Sequence, residues 1–411
     1  MGAERVPYDA GVAEFYAIKG APYIRRLVEL LGLPMRCLSA TPTFFWRGHR
    51  LDNDDDFLGV FGVEGVERLE DFWRRGLRLR RPEDYADSGF PKDHPWSRLT
   101  FTEVLKSVGH PEVEDFLRMQ VNSDLACEPD EASGVFAFDN LLVDHPDYCD
   151  MFTIEGGNAR LIERLVDRVR APLRSGVSLS AVHRHGEGFR LEASGEEIVC
   201  EGLLLAVPRG NLGDIVWGDR DARDGIARHR ALPASSSAYL RVTLLFARRF
   251  WGAELPESYF VDDAFGGVTV YDHSPYPRSP EAPGVLSWLL AGRAARQLAT
   301  CSDEVLVDKV LGALPSPLVA GRSRLRGSSV DRWVDTEAPL RDVDQGARPS
   351  LPEHQPVASI PGLVVAGDYM YDGTVNGALE SAVRGCSALL CGLGHPAAVS
   401  AADVWKMTGL S

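Results

Sequence analysis

The segment that most constrains the fold of this chain is Gly362–Cys386, which reads GLVVAGDYMYDGTVNGALESAVRGC. Its apolar run Leu363–Ala366 has the composition of a buried parallel strand. A short polar turn follows, and the pattern then predicts a helix from Asn376 to about Leu390. Parallel sheets bind ligands where a strand ends and the next helix begins. The segment therefore predicts an α/β fold with a ligand site at this turn.

The turn carries groups that suit a polar, negatively charged ligand. Gly367 lets a ligand approach the backbone closely, and Asp368 can accept hydrogen bonds from hydroxyl groups. Thr374 or Asn376 can cap the helix, whose free N–H groups then bind an anion or a carbonyl oxygen. The alternative is a capped helix without a ligand. The complete order of strand, turn and helix favours the site.

Length, charge and hydropathy limit the classes of protein that fit. The 411 residues are enough for two or three hydrophobic cores. The net charge of -15 excludes a nucleic-acid backbone as the main partner, because phosphates bind positive surfaces. The sequence has no apolar run of about 18 residues or more, and its start lacks a signal-peptide pattern. We therefore expect a globular protein without a membrane span, located in the cytoplasm.

The cysteines and histidines do not form the pattern of a metal site or of a nucleophile with its base. The seven cysteines are scattered and never occur as C-x-x-C. This spacing predicts reduced, mostly buried thiols, without a disulfide framework or a zinc site. The histidines show no metal-ligand spacing and no Ser-His-Asp arrangement. We therefore predict no metal.

The predicted elements alternate between three kinds of region. Residues 1–50, 151–215 and 355–411 carry apolar α/β pieces, among them the run Leu203–Val207, which predicts another buried parallel strand ended by Pro208. After the turn at Gly156–Gly157, the pattern predicts a helix capped by Asn158. Residues 51–150 are typical of helices and loops. Residues 216–354 predict a second sheet, with strands within Ser237–Trp251 and in GGVTVYDHS. One domain is therefore expected to form from discontinuous segments.

The segment Gly362–Cys386 resembles the C-terminal flavin-binding motif of the flavin-containing amine oxidase and protoporphyrinogen oxidase superfamily. The resemblance implies FAD as cofactor, with Gly367 and Asp368 at its ribityl or pyrophosphate region. It also implies that the start of the helix points at the flavin ring. The residues of that helix start are Thr374, Val375, Asn376, Gly377 and Ala378.

Further motifs resemble the same superfamily in the same order. YDAGVAEFY is similar to its D-x-G-G segment, IEGGNARLIERL to its G-G-x-x-x-L helix entry, SLSAVHR to a strand beside the adenine, and LLLAVPRGNL to its A-x-P strand end. Together they cover the chain from Tyr8 to Leu390. The additional cofactor contacts that the resemblance implies are Gly11, Val12, Ala13, Val182, Ala206, Pro208 and Trp333.

The resemblance implies a Rossmann-like FAD-binding domain built from residues 1–50, 151–215 and 355–411. Residues 51–150 become a helical insert of the substrate domain, and residues 216–354 a mixed-sheet substrate domain. The superfamily's G-x-G-x-x-G strand–helix unit has no counterpart in the 411 residues. The FAD-binding domain is thus expected to be incomplete at its N-terminal side. Three explanations stay open: a fragment, a split enzyme whose second chain supplies the unit, or a scaffold that has lost the cofactor.

Two positions depart from the chemistry of the superfamily's amine oxidases. Arg241 stands where many of them have a lysine that reaches the flavin through water, and an arginine stays protonated and cannot act as a base. Arg241 could orient a water molecule; the alternative is an outward strand residue in a solvated ion pair. Thr374 stands at an aromatic-cage position, which Tyr369 or Tyr371 could fill from another angle. For Trp333, the alternative is a plain core residue.

The resemblance implies an FAD-dependent oxidoreductase that transfers a hydride to the flavin from a C–N or C–C bond of a small-molecule substrate. Arg241 is the candidate catalytic residue. The alternative is a cofactor-free binding or partner subunit on an amine oxidase-like scaffold. A flavin spectrum of the purified protein distinguishes the two hypotheses.

Overall fold

The computed structural model describes residues 6–19, 23–38, 43–82, 95–231, 236–252, 254–256, 258–337, 354–370 and 373–395. The chain divides into two compact units. Unit 1 contains residues 1–22, 33–162 and 235–344, and unit 2 contains residues 23–32, 163–234 and 345–411. The domain boundaries expected from the sequence stay a prediction.

The described residues form strands and helices, and both units contain elements of each kind. The strands are β1 Phe15–Ile18, β2 Met35–Cys37, β3 Thr43–Trp46, β4 His49–Leu51, β5 Cys149–Ile154, β6 Leu179–His185, β7 Gly188–Ala193, β8 Glu196–Cys200, β9 Leu203–Leu205, β10 Val216–Trp217, β11 Ser236–Phe246, β12 Tyr259–Asp262, β13 Val268–Asp272, β14 Gly284–Ala291, β15 Leu325–Glu337 and β16 Leu363–Val365. The helices are α1 Tyr23–Leu30, α2 Asp54–Leu79, α3 Phe101–Lys106, α4 Pro111–Leu125, α5 Gly134–Leu141, α6 Ala159–Arg168, α7 Arg220–Arg230, α8 Gly292–Leu298, α9 Asp303–Gly312 and α10 Val375–Gly392.

Unit 1 is built around a seven-stranded sheet with the order β15-β11-β14-β13-β12-β3-β4. Strand β11 pairs antiparallel with both β14 and β15, so both of its edges are covered. Side chains alternate across a strand. Leu240, Val242 and Leu244 are fully buried in the hydrophobic core on one face, and Arg241 and Thr243 therefore point to the other face. The predicted strands in this region are confirmed.

The region predicted to be helical contains α2 to α5, all within unit 1. Local capping explains where two of these helices begin. The Asn53 side chain accepts a hydrogen bond from Asp56 N at the start of α2, and Thr100 and Glu103 form a capping box at the start of α3. A Cβ atom at Gly76 would lie 2.0 Å from the Phe138 ring, so only glycine lets α2 pack this closely.

Unit 2 contains a four-stranded sheet of order β10-β6-β7-β8 and the parallel pair β16–β9. Leu363 to Val365 are fully buried, and they pair in register with Leu203 to Leu205. The predicted buried strand at Leu363 is confirmed. The predicted parallel strand at Leu203 is also present, but only Leu205 of β9 is buried, and the strand ends before the exposed Ala206. The predicted C-terminal helix is confirmed as α10.

No helix in the described ranges is long and apolar enough to cross a membrane. Among the described residues, no group of histidine, cysteine and acidic side chains could hold a metal ion. The seven cysteines form no disulfide, but the expectation of mostly buried thiols is wrong. Cys127 and Cys149 are buried, whereas Cys37, Cys386 and Cys391 are exposed.

Candidate functional site

The turn after β16 is anchored to helix α10 by a buried serine. The backbone N–H of Gly367 donates to Ser381 Oγ at 2.9 Å, and His354 Nε2 lies 3.1 Å from the same oxygen. Ser381 is fully buried. Burial, with Arg384 and His229 nearby, lowers the pKa of His354 to about 4, so the imidazole is neutral at pH 7. Sequence reasoning missed this contact, because a serine inside a helix gives no signal of its long-range partner.

Asp368 lies at the carboxyl end of β16, where the sequence predicted a ligand contact. Its Oδ1 accepts a hydrogen bond from Tyr369 N at 2.8 Å, and burial raises the pKa of its carboxyl group. A Cβ atom at Gly367 would lie 2.3 Å from the Tyr369 ring. Glycine is therefore required here by a buried neighbouring side chain, in addition to any ligand. Tyr371, the other ring that was considered, lies outside the described residues.

The N-terminus of α10 is capped by Thr374, one of the two predicted caps. Thr374 Oγ1 accepts a hydrogen bond from Gly377 N at 3.2 Å. Asn376 has another role, since its Oδ1 accepts from Ile24 N at 3.2 Å, at the start of α1. Thr374 and Ala378 are exposed, and Val375 is partly exposed, so one side of this helix start is open. A helix N-terminus with this exposure can hold a negatively charged or carbonyl oxygen.

The other cofactor positions in unit 2 differ in accessibility. Val182 is buried on β6, in the core that also contains Leu205. Only the backbone of such a residue is suited to a ligand, which is the kind of contact that the resemblance implies. Ala206 and Pro208 follow β9 and are exposed.

In unit 1, the predicted flavin-lining segment is held by one buried asparagine. Asn158 Nδ2 donates to Val12 O at 2.9 Å and to Ala13 O at 3.0 Å. The backbone N–H of Asn158 donates to Asp9 Oδ1 at 2.9 Å. A Cβ atom at Gly11 would meet no atom within 4 Å. The backbone of Gly11 is therefore accessible to a ligand on the side where a side chain would stand.

The sequence assigned Asn158 a helix-capping role, and its side chain is used differently. Asn158 Oδ1 accepts from Thr153 Oγ1 at 2.9 Å and from Ile154 N at 3.0 Å, both in β5. With the two bonds from Nδ2, the amide ties β5 to the predicted flavin-lining segment. The helix-capping interpretation of this side chain is wrong, because a strand and a loop compete successfully for its polar atoms.

Arg241 is buried, with 2% of its surface exposed. Its Nη1 donates to the carbonyl oxygen of Asp9 at 2.7 Å, and its guanidinium carbon lies 5.3 Å from the centre of the Tyr271 ring. Its Nε is buried and has no hydrogen-bond partner among the described residues. The alternative of a solvated outward ion pair is therefore wrong.

A buried carboxyl group shares this face of the sheet with Arg241. Glu14 Oε1 accepts hydrogen bonds from Tyr16 OH at 2.6 Å and from Tyr271 OH at 3.0 Å. Its Oε2 is buried without a partner in the described part of the chain. Burial raises the pKa of Glu14, and the two hydroxyl donors and Arg241 oppose that shift. Sequence reasoning did not single out Glu14.

Trp333 stands on β15 directly opposite Tyr239 of β11. The residue is 46% exposed, so the alternative of a plain core tryptophan is wrong. Its strand neighbour Asp331 accepts a hydrogen bond from Tyr8 OH at 3.0 Å. Trp333 therefore presents an open aromatic surface.

Comparison with known families gives the class to which this arrangement belongs. The model of the flavin-containing amine oxidoreductase family matches residues 7–390. The chain therefore belongs to the flavin-containing amine oxidoreductases, an FAD-dependent class of oxidoreductases. No curated protein sequence matches it.

Two solved structures have a similar fold. Wild-type putrescine oxidase bound to putrescine is 13% identical, with a TM-score of 0.66 over 89% of this chain and 84% of that one. Cyclohexylamine oxidase from Brevibacterium oxydans IH-35A is 15% identical, with a TM-score of 0.63 over 96% of this chain and 89% of that one. At these identities the likeness concerns the fold. The mixed α/β class expected from the sequence is confirmed.

The residues present fit part of an FAD molecule. The open helix start at Thr374 supplies N–H donors and Asp368 supplies an acceptor, which suit carbonyl and ribityl hydroxyl groups. Unit 1, considered by itself, has open backbone at Gly11 and two buried polar atoms without a partner among the described residues, Arg241 Nε and Glu14 Oε2. A glycine-rich cradle for the pyrophosphate is missing from the sequence. The groups of unit 2 therefore fit the ring and ribityl end of the cofactor.

Proposed function

We propose that this chain is an FAD-dependent oxidoreductase that oxidises a C–N or C–C bond of a small-molecule substrate by removing a hydride from a C–H bond of its carbon atom. The observation that carries the proposal is that the buried strand β16 precedes the helix α10, whose Thr374-capped start is open. It stands in a chain whose family uses flavin chemistry. FAD, when bound, supplies the hydride acceptor.

Each group of residues has a distinct part in this proposal. In unit 2, Asp368 holds a ribityl hydroxyl, Val182, Ala206 and Pro208 border the cofactor, and the helix start from Thr374 to Ala378 stabilises negative charge on the ring. In unit 1, the backbone of Gly11–Ala13 and the exposed Trp333 contact the cofactor. These assignments follow the resemblance. The exposure of Ala206, Pro208, Thr374, Ala378 and Trp333 supports them, whereas the buried Val182 can take part only through its backbone.

For Arg241 we propose orientation rather than proton abstraction. Its guanidinium is fixed by Asp9 O and by the Tyr271 ring, and its unpartnered Nε can hold a water molecule. A guanidinium stays protonated, so it keeps positive charge at the site throughout the reaction. A neutral amine or an activated C–H bond needs no side-chain base, which agrees with this arrangement.

We further propose that the pyrophosphate of FAD is held by a G-x-G-x-x-G unit outside these 411 residues, supplied by a longer form of the protein or by a second chain. The absence of the motif from the sequence supports this proposal. The cytoplasmic location stays a prediction.

The decisive experiment is purification from cells supplied with riboflavin, followed by an absorption spectrum. We expect a flavin spectrum, alone or together with a co-purifying chain that carries G-x-G-x-x-G, and its bleaching by a substrate amine without oxygen. A colourless protein that never takes up FAD, even with added nucleotide-binding partner, would contradict the proposal and favour a cofactor-free binding subunit.

A further inference from the structure

Helix α2 of unit 1 is divided by one residue whose backbone is not helical. Gly62 has φ 66° and ψ 179°, a combination that is essentially restricted to glycine. The helix begins after Asn53, whose backbone is extended, with φ -150° and ψ 168°. Residues 54–61 are therefore a short helical piece with a non-helical residue at each end, and we call this piece the flap.

The flap contributes to the wall of a cavity of about 400 Å³. Phe57 belongs to the flap, whereas Leu69, Trp73 and Leu77 contribute to the same wall from the part of α2 that follows Gly62. Cavities of this size hold small organic molecules. The non-helical residue thus lies between two parts of the wall of one cavity.

The inner face of the flap is held by two aromatic residues. The ring centres of Phe57 and Phe61 lie 5.6 Å and 5.4 Å from that of Phe116 on α4. A Cβ atom at Gly65 would lie 2.7 Å from Phe61 Cβ, so the kink brings the flap directly onto Gly65. On the outer face, Leu58 is 44% exposed. The flap is therefore packed on its inner face and open to solvent on its outer face.

We propose that the flap is a lid that opens and closes this cavity by turning about Asn53 and Gly62. In the closed position, Phe57 and Phe61 pack on Phe116 and keep water out of the cavity. When the flap turns outward, Phe57 leaves the wall and a small molecule can enter.

The surroundings of Gly62 suit a hinge. Hinges are a few residues at the ends of elements that absorb a large change in φ and ψ. A Cβ atom at Gly62 would meet no atom within 4 Å, so its backbone can turn without a clash. The proposal depends on unit 1 alone and needs no flavin, so it stands apart from the redox reaction.

Thiol labelling measures the opening of the flap. Gln120, buried in the cavity wall on α4, is replaced by cysteine, and its reaction with N-ethylmaleimide is followed by mass spectrometry of peptides. Two natural cysteines are internal references. Cys37 is exposed and should react at one rate throughout, whereas Cys127 is buried in unit 1 and reports unfolding. We expect the Gln120→Cys thiol to react more slowly than Cys37 and faster than Cys127.

Two glycines of α2 provide a matched pair of variants in the Gln120→Cys background. Gly62→Ala should accelerate labelling at position 120 by at least about tenfold, because an L-residue disfavours the backbone conformation of the closed flap. Gly59 lies in helical backbone within the flap, and its Cβ position is equally open. Gly59→Ala should therefore change the rate by less than about twofold.

A second pair of variants tests the packing of the flap. Phe61→Ala removes an inner contact with Phe116 and should accelerate labelling at position 120 by about tenfold or more. Leu58→Ala shortens an exposed side chain on the outer face and should leave the rate within about twofold of the parent.

Circular dichroism and the rate at Cys127 show whether each variant is folded. If Gly62→Ala exposes Cys127 as well, that variant has unfolded, and the pair Phe61→Ala and Leu58→Ala decides. Equal rates at position 120 within a folded pair would overturn the proposal. A Gln120→Cys thiol that reacts as fast as Cys37 in the parent would also overturn it. A colourless protein with the expected rates would contradict the proposed function alone.

Discussion

Asn158 Nδ2 donates a hydrogen bond to the carbonyl oxygen of Val12 at 2.9 Å, across 146 residues of sequence. The same amide also bonds Ala13 O and two groups of β5, so it ties the segment at Val12 and Ala13 to β5. Replacing Asn158 by alanine should lower the free energy of unfolding by about 3 kcal/mol, since several buried polar groups lose their partner.

Urea denaturation of Asn158→Ala measures this loss. The matched control is Asn140→Ala, which removes one helix-surface bond to Phe136 O and should cost less than about 1 kcal/mol. If the two variants are equally stable, Asn158 does not hold the segment. In flavin-loaded protein, Asn158→Ala should also release FAD more readily than the control does.

Arg241 should stabilise unit 1 through both its charge and its hydrogen bond to Asp9. Arg241→Met leaves Glu14 without its neighbouring cation, so we expect a loss of about 3 kcal/mol in the free energy of unfolding at pH 8. The loss should shrink at low pH, where Glu14 is protonated. Denaturation at several pH values, with the exposed Arg248→Met as control, measures it. A loss that does not vary with pH would refute the electrostatic part of this explanation.

Asp262 should make the protein less stable as the pH rises. Burial raises its pKa to about 7, well above the value in an unfolded chain, so the folded state holds a proton that the unfolded state has released. The corresponding contribution is fully present below pH about 4 and is lost as pH rises to about 7.

Asp262→Asn keeps the acceptor for Ala264 N and cannot ionise. At pH 8 it should therefore raise the free energy of unfolding by about 1–3 kcal/mol, with no gain at pH 4. Thermal and urea unfolding at both pH values measure the difference. The exposed Asp308→Asn is the control, and a destabilised Asp262→Asn at pH 8 would contradict the prediction.

Ser381 should contribute to stability through the buried N–H of Gly367. Ser381→Ala leaves that N–H without its acceptor, which costs about 1–3 kcal/mol. Ser323→Ala, whose exposed hydroxyl bonds only its own turn, should stay within about 0.5 kcal/mol of the parent. Hydrogen exchange of the Gly367 amide gives a local readout, and unchanged protection in Ser381→Ala would refute the role.

The sequence predicted those features that short-range patterns encode. The apolar runs at Leu203 and Leu363, the Thr374 cap and the length of α10 depend on neighbouring residues, and all appear in the structure. The family resemblance followed from motifs of the same kind.

The features that the sequence did not predict depend on distant partners. Asn158 Oδ1 accepts hydrogen bonds from Thr153 and Ile154 instead of capping the helix that follows it, and Nδ2 donates to carbonyl oxygens near the start of the chain. Arg241 is buried because Asp9 and Tyr271 supply its partners from other segments. Glu14 and Asp144 are surrounded by groups that come together only on folding. Spacing along one segment cannot encode such contacts.

The pairing of β9 with β16 has a consequence for biosynthesis. Strand β9, residues 203–205, can pair with β16 only after residues 363–365 have been synthesised. The hydrogen bond from Ile24 N at the start of α1 requires Asn376, which is synthesised later still. The middle of the chain leaves the ribosome long before the C-terminal residues that complete unit 2 have been synthesised. Until then, the apolar edge of β9 is a surface that chaperones can recognise, and a nascent chain stalled before Leu363 should be held by them rather than fold.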